Sequence, residues 1–139
     1  MMVADSDLLI DALRGREGAT ERIRIELNAG GLATTAVNSF ELTAGAKAGR
    51  DLEKVEALLS ALTILPLDGP ASREAARVRR ALKEAGRDPG MADCLIAGIC
   101  IANSGVLLTR NRAHFAGIAG LALGTLPASG PRIPGTGSG

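Results

Sequence analysis

The sequence predicts an α/β domain built on a mostly parallel sheet of four to five short strands. Two observations carry this expectation. Short apolar runs, at residues 2–4, 32–35, 63–65 and 106–109, alternate with longer stretches of helical periodicity, the pattern of a sheet layered against helices. The chain has 139 residues, of which 46% are hydrophobic, enough to bury a single core and too many for wholesale disorder.

Met2-Val3-Ala4 reads as a short buried strand running straight into Asp5, with Ser6 as the expected N-cap of a helix through Leu13 that Gly15 ends. A second helix fits residues 19–28, stopped by Gly30-Gly31. The strand at 32–35 leads into a helix over 37–48. Leu52, Val55, Leu58, Leu59 and Leu62 then recur at helical spacing, the clearest amphipathic segment of the chain. Residues 63–65 form a third strand, punctuated by Pro66. A charged helix over 70–85 closes at Gly86, Pro89-Gly90 marks a turn, and 91–103 is an apolar helix feeding the strand at 106–109. A short helix over 112–115 and an edge strand at 121–123 complete the domain, expected to span residues 1–126. From residue 127 to 139 Pro, Gly, Ser and Thr dominate, which predicts a flexible tail.

Composition excludes several classes of function. Phe40 and Phe115 are the only aromatic residues, so the core is aliphatic, and this scarcity argues against a protein that stacks the bases of a single strand. A net charge of +1 supplies no global field for nucleic acid, so such a partner needs a local basic patch. Cys94 and Cys100 point about 120° apart on a helix at roughly 100° per residue, which bars a bond between them within it. One histidine leaves no zinc set, and the thiols read as reduced core groups. Asp5, Asp7 and Asp11 rule out a signal peptide in the first 13 residues. No uninterrupted apolar run reaches about 18 residues, so no ordinary membrane span is expected and a cytoplasmic location is the default.

In open parallel sheets ligands bind beyond the carboxyl ends of the strands. Asp5 follows the first strand directly, Glu41 lies in the first turns of the helix after the second, and Asp93 starts the helix that feeds the fourth. Three carboxylates around one cavity would repel each other and drift toward protonation unless a cation neutralised them. Mg2+ or Mn2+, hard ions that take oxygen ligands and keep several waters, suit such a set and promote phosphate hydrolysis. Each residue also has a plainer reading: Asp5 as a helix cap, Glu41 as a solvated position, Asp93 as a partner of the helix dipole.

The local contexts decide between these readings. Val3-Ala4-Asp5-Ser6-Asp7-Leu8-Leu9-Ile10 resembles the opening of PIN-domain ribonucleases, where a hydrophobic strand ends in Asp followed by Ser or Thr. The stretch from Ala33 to Leu42, with its acidic residue at Glu41, is similar to the second motif of that family. Asp93-Cys94-Leu95-Ile96-Ala97 and then Gly105-Val106-Leu107-Leu108-Thr109-Arg110-Asn111 with Phe115 resemble its third and fourth. The likeness covers about residues 2–126, and size and opening look most like the VapC toxins of toxin–antitoxin pairs. The resemblance implies a three-layer α/β/α fold, Mg2+-dependent RNA cleavage, a homodimer and inhibition by a small antitoxin. It gives Asp5, Glu41 and Asp93 the metal-holding and catalytic roles, and Ser6 and Thr109 the supporting hydroxyl positions. Asn111 stands where many relatives carry Asp; an amide can hold a metal-bound water but adds no charge, which puts a second tightly bound ion in doubt. His114 lies where an acidic residue is common in relatives.

Arg110 and Arg112 follow Thr109 at the mouth of the expected site and are the candidate contacts to an RNA backbone. Arg73, Arg77 and Arg80 share one helix face, extended by Lys83 and Arg87, but Glu74 and Glu84 intersperse them, as on a solvated face. Two rival functions start from the same residues. Asp5-Ser6-Asp7 also resembles the D-x-D opening of phosphatases with an aspartyl nucleophile, although no Lys follows Lys83 and no acidic residue follows Asp93. The other rival is a catalytically silent module that acts only by pairing with a protein.

Overall fold

Neighbouring residues of a strand point to opposite faces of a sheet, so a strand whose successive side chains are all buried needs cover on both sides. Val3 and Ala4 are such a pair, as are Leu107 and Leu108, and all four have no exposed surface. The computed structural model describes residues 1–126 and supplies that cover. Val3 and Leu107 pack with Ala71, Val78, Ile96, Ile99 and Phe115 in one core cluster, while Ala4 and Leu108 pack with Leu8, Leu9, Ile23, Leu42 and Val55 in another. One sheet thus separates two helical layers, the three-layer α/β/α arrangement.

The elements follow in the order β1 (Met2–Ala4), α1 (Ser6–Leu13), α2 (Glu17–Asn28), β2 (Ala33–Thr35), α3 (Ala36–Gly45), α4 (Arg50–Ser60), β3 (Thr63–Leu65), α5 (Gly69–Glu84), α6 (Met91–Ala102), β4 (Val106–Leu108), α7 (Arg112–Phe115) and β5 (Ala122–Leu123). The sheet has five strands in the order β3-β2-β1-β4-β5, and every pairing is parallel. The sheet is therefore wholly rather than mostly parallel. After β1 the chain moves outward to β2 and β3, then returns to place β4 on the other side of β1. That reversal makes the carboxyl ends of β1 and β4 the switch point, where a crevice opens between diverging connections.

Side-chain caps start three of the helices. Asp5, in an extended conformation, is the residue that caps α1, accepting the Ser6 N–H, so the cap lies one residue before the expected Ser6. The Thr35 hydroxyl accepts the Asn38 N–H and starts α3 directly from β2. Asp68 caps α5 through the Ala71 N–H, with Pro70 in the first turn, where its missing donor is harmless. Leu62, read as the last position of the amphipathic segment, lies beyond α4 but is still buried.

Leu8, Leu9 and Ile23 are buried in the core between α1, α2 and the sheet, not on a surface. Cys94 and Cys100 are free, buried thiols. Burial pushes the Cys94 thiol up, and burial followed by the charge of Asp5 pushes Cys100 up to about 12. Among the described residues no helix is long and apolar enough to cross a membrane. The tail expected from residue 127 lies outside the described residues.

Candidate active site

Asp5 is the first residue beyond the central strand. Its N–H donates to the carbonyl of Leu108 at 3.0 Å, which extends the β1–β4 ladder and aims the side chain over the sheet edge. Only 5% of the residue is exposed. Oδ1 accepts the Ser6 N–H and the Asn38 side-chain amide, both at 2.8 Å, and Oδ2 accepts the Thr109 hydroxyl at 2.7 Å. Thr109 comes from the end of β4 and Asn38 from the first turn of α3, so one carboxylate joins the carboxyl ends of three adjacent connections.

The orientation of Asn38 follows from its partners. Its Oδ1 accepts the Thr35 hydroxyl at 2.7 Å, which turns the amide nitrogen toward Asp5 and Ser6. The reverse orientation would set a carbonyl against a carboxylate. Asn38, Thr35 and Thr109 are all buried, and each makes the hydrogen bonds that burial requires.

Burial raises the Asp5 carboxyl above its ordinary value, the Thr109 hydrogen bond opposes that, and the charge of Asp7 raises it further, with Ser6 and Asn38 again opposing. Asp7 is the less comfortable neighbour. Its Oδ2 accepts the Arg110 N–H at 2.9 Å and lies 3.2 Å from the Thr109 hydroxyl, while its buried Oδ1 has no hydrogen-bond partner among the described residues. The Asn111 N–H donates to the Thr109 oxygen at 3.0 Å, which binds the loop after β4 to the same group.

Of the other two acidic residues expected at the site, Glu41 is hydrogen-bonded into it, whereas Asp93 lines a cleft with Arg87, Asp88 and His114. Glu41 is exposed on α3 and accepts the Ser6 hydroxyl at 2.9 Å, so it joins Asp5 through Ser6 and Asn38. Asp93 occupies the first turn of α6 and is partly exposed, with His114 Nδ1 at 3.1 Å from its Oδ2. Helix α6 precedes a parallel strand, so its start lies at the carboxyl edge of the sheet, and α3 and α6 pack on each other there. A groove of about 450 Å³ between them is lined by Val37, Phe40, Glu41, Leu67, Met91 and Leu95. Among the described residues no three Asp, Glu, His or Cys side chains converge as a ready-made metal cage. Glu41 is instead turned to Ser6 and Asp93 to His114.

The donor set nevertheless suits a hard cation. It offers carboxylate and hydroxyl oxygens. Asp5 Oδ2 receives only one hydrogen bond, leaving an acceptor position open, and a buried carboxylate oxygen of Asp7 lacks any positive partner. An ion such as Mg2+ binds through one or two carboxylates and keeps its remaining waters, so a closed protein cage is not needed.

The two arginines expected to meet RNA are engaged within the chain. Arg110 Nε lies 3.1 Å from Oδ2 of the buried Asp11, which Arg16 also approaches at 3.4 Å, and Arg112 donates to the carbonyl of Gly124 at 2.6 Å. Arg77 is held by Glu74 and the Ala119 carbonyl. Arg110 remains nearly half exposed, and Arg112 is exposed. Residues that sequence reasoning passed over, Asn38, Thr35 and Asp7, are the ones that hold Asp5 and the loop after β4. The one signal for the first two was Thr35 standing three residues before Asn38, a spacing that fits a helix cap.

A wholly parallel sheet covered on both faces, with a buried carboxylate and hydroxyl groups at its switch point, defines a three-layer α/β domain with a polar site at the carboxyl edge of its strands. The PIN domain profile matches residues 2–121, and the chain belongs to that family. It is 28% identical over 121 residues to the tRNA(fMet)-specific endonuclease VapC of Shigella flexneri, covering 84% of this chain and 91% of that one. The fold is similar to that in the DNA-bound VapBC2 structure from Rickettsia felis, with a TM-score of 0.79 and 22% identity over 88% of this chain and 96% of that one. DNA-bound VapBC from Salmonella typhimurium is comparably similar, with a TM-score of 0.78 and 24% identity over 89% and 98%.

Proposed function

We propose that this PIN-domain chain is the toxin of a VapBC-type toxin–antitoxin pair and cleaves RNA as a divalent-metal-dependent endoribonuclease in the cytoplasm. The observation that carries the reading is Asp5, a buried carboxylate fixed by Ser6, Asn38 and Thr109 with one acceptor position left open at the switch point of the sheet. Asp5, Asp93 and Glu41 would hold Mg2+ or Mn2+. Such an ion supplies an activated water and neutralises charge on the phosphate.

The chain's own residues do the rest. Thr109 and Asn38 keep Asp5 from turning away, and Ser6 keeps Glu41 within reach of the same mouth. Asn111 contributes a neutral side chain beside the site, so the reading takes one tightly held ion rather than two. Arg110 and Arg112 are proposed to meet the RNA backbone, which requires Arg110 to exchange Asp11, and Arg112 the Gly124 carbonyl, for phosphate. The relatives' VapBC complexes support a small VapB-like antitoxin as partner. The apolar groove beside Phe40 and Met91, which are 69% and 66% exposed, supports a homodimer.

A phosphatase using Asp5 as nucleophile is disfavoured, because no Lys follows Lys83 and no acidic residue follows Asp93. The silent-module reading draws on Asn111 and on the acidic side chains turned to Ser6 and His114. The test separates it from catalysis. Purified chain freed of any partner is incubated with an RNA panel that includes an initiator tRNA, in Mg2+. The expected result is cleavage that Asp5→Asn and Asp93→Asn each reduce at least about a hundredfold while the fold persists, a loss of only about 2.7 kcal/mol of transition-state stabilisation. Absence of cleavage across the panel favours the silent module.

A further inference from the structure

The side chain nearest Asp93 is one that packing does not explain. His114 is 62% exposed, so no core contact accounts for where its ring lies, yet Nδ1 stands 3.1 Å from Asp93 Oδ2. The backbone that carries it is pinned from both sides. Phe115, the next residue, is 1% exposed and anchors α7 in the core. Arg87, from the link between α5 and α6, donates to the carbonyl of Ala116 at 2.9 Å and reaches those of Ala113 and His114 at 3.4 Å. A helix of four residues leaves its last carbonyls without intrahelical partners, and Arg87 supplies them. A basic residue that resembled part of a nucleic-acid face is thus a clamp on the segment that presents His114.

We propose that His114 is a positioning residue that fixes which oxygen Asp93 presents to the bound cation. The inference rests on the reading of Asp93 as a metal-holding carboxylate. A carboxylate only accepts, so Nδ1 is the donor to Asp93 Oδ2. With Oδ2 engaged, the side chain of Asp93 is held in one orientation and Oδ1 is left for the ion. Hydrogen-bonding partners of this kind hold metal ligands in place, and their removal weakens metal binding about 10- to 100-fold.

Isothermal titration of the purified, partner-free chain with Mn2+ tests this without recourse to cleavage. His114→Ala is expected to weaken Mn2+ binding about tenfold while leaving the melting temperature in metal-free buffer unchanged. His114→Asn places an amide N–H close to the position of Nδ1 and is expected to restore affinity to within roughly twofold of the native chain. His114→Gln reaches toward the position of Nε2 instead and is expected to remain weak. Equal affinity in the native chain and His114→Ala overturns the proposal, as does His114→Asn binding no better than His114→Ala. A native chain that binds no Mn2+ at all removes the metal-dependent reading of the site, and this inference with it.

Discussion

Asp5 shows how one side chain can serve both the fold and the chemistry proposed for it. It caps α1, closes the β1–β4 ladder with its N–H, and keeps an acceptor position open in a buried setting. Burial raises its carboxyl, the Thr109 hydrogen bond opposes this, and Asp7 adds to the rise. The folded state therefore binds that proton more tightly than the unfolded chain does. The stabilising contribution is full below the unfolded value near 3.8 and is lost as pH rises through the raised folded value. At neutral pH and without metal, the ionised carboxylate detracts from stability. Asp5→Asn should therefore raise the melting temperature in metal-free buffer at pH 7 by about 2–5 °C, with the gain shrinking as pH falls toward 4. The amide suits the site, because its oxygen can still accept from Ser6 and Asn38 while its nitrogen donates to the Thr109 oxygen. The same variant should lose the stabilisation that Mg2+ gives the native chain, and calorimetry with and without Mg2+ checks both effects.

At the scale of elements, the contact that governs where Asp93 sits is the packing of α5 on α6. Ala71 and Ala75 of α5 face Gly98 of α6, and a Cβ placed on Gly98 would lie 2.5 Å from the Ala75 nitrogen, 2.6 Å from its Cβ and 2.7 Å from the Ala71 carbonyl oxygen. Two of those atoms are backbone, so no rotamer change relieves the clash and the helices must separate. Gly98→Ala should destabilise the domain by about 1–3 kcal/mol, read from urea denaturation. It should also lower metal affinity, because α6 carries Asp93 in its first turn. The elements themselves were legible in the sequence: short apolar or Thr-containing runs followed by Asp5, Pro66 and Thr109 or running into the helix after Thr35 mark four strands, and helical spacing marks the helices between them. The cap of α1 was placed one residue late because Ser6 and Asp5 are both good caps. Only the backbone, extended at Asp5 and helical from Ser6, distinguishes them. The close approach at Gly98 was not legible, since a glycine in an apolar helix reads the same whether or not a neighbour presses on it.

For the whole molecule, the site arises from topology. Residues 5, 38 and 109 are distant in the chain and meet because β1 lies between β2 and β4 in a parallel sheet. That Asp5 and Thr109 lie together was legible, because each directly follows an apolar strand. Asn38 was not, because its task depends on α3 being swung over the end of β1, which spacing along one helix does not encode. Arg110 and Arg112 were visible as charges near the mouth, but their present partners, Asp11 and the Gly124 carbonyl, lie across loops and could not be read from sequence. The central claim is that Asp5 and its neighbours place a divalent ion against an RNA phosphodiester. The measurement that tests it most directly is metal rescue, with the product ends identified by mass spectrometry. Cleavage by the partner-free chain should stop in EDTA and return with Mg2+ or Mn2+ in the native chain but not in Asp5→Asn. A water nucleophile also predicts products without a 2′,3′-cyclic phosphate. Cleavage that persists in EDTA, survives Asp5→Asn or leaves a cyclic phosphate would contradict the account.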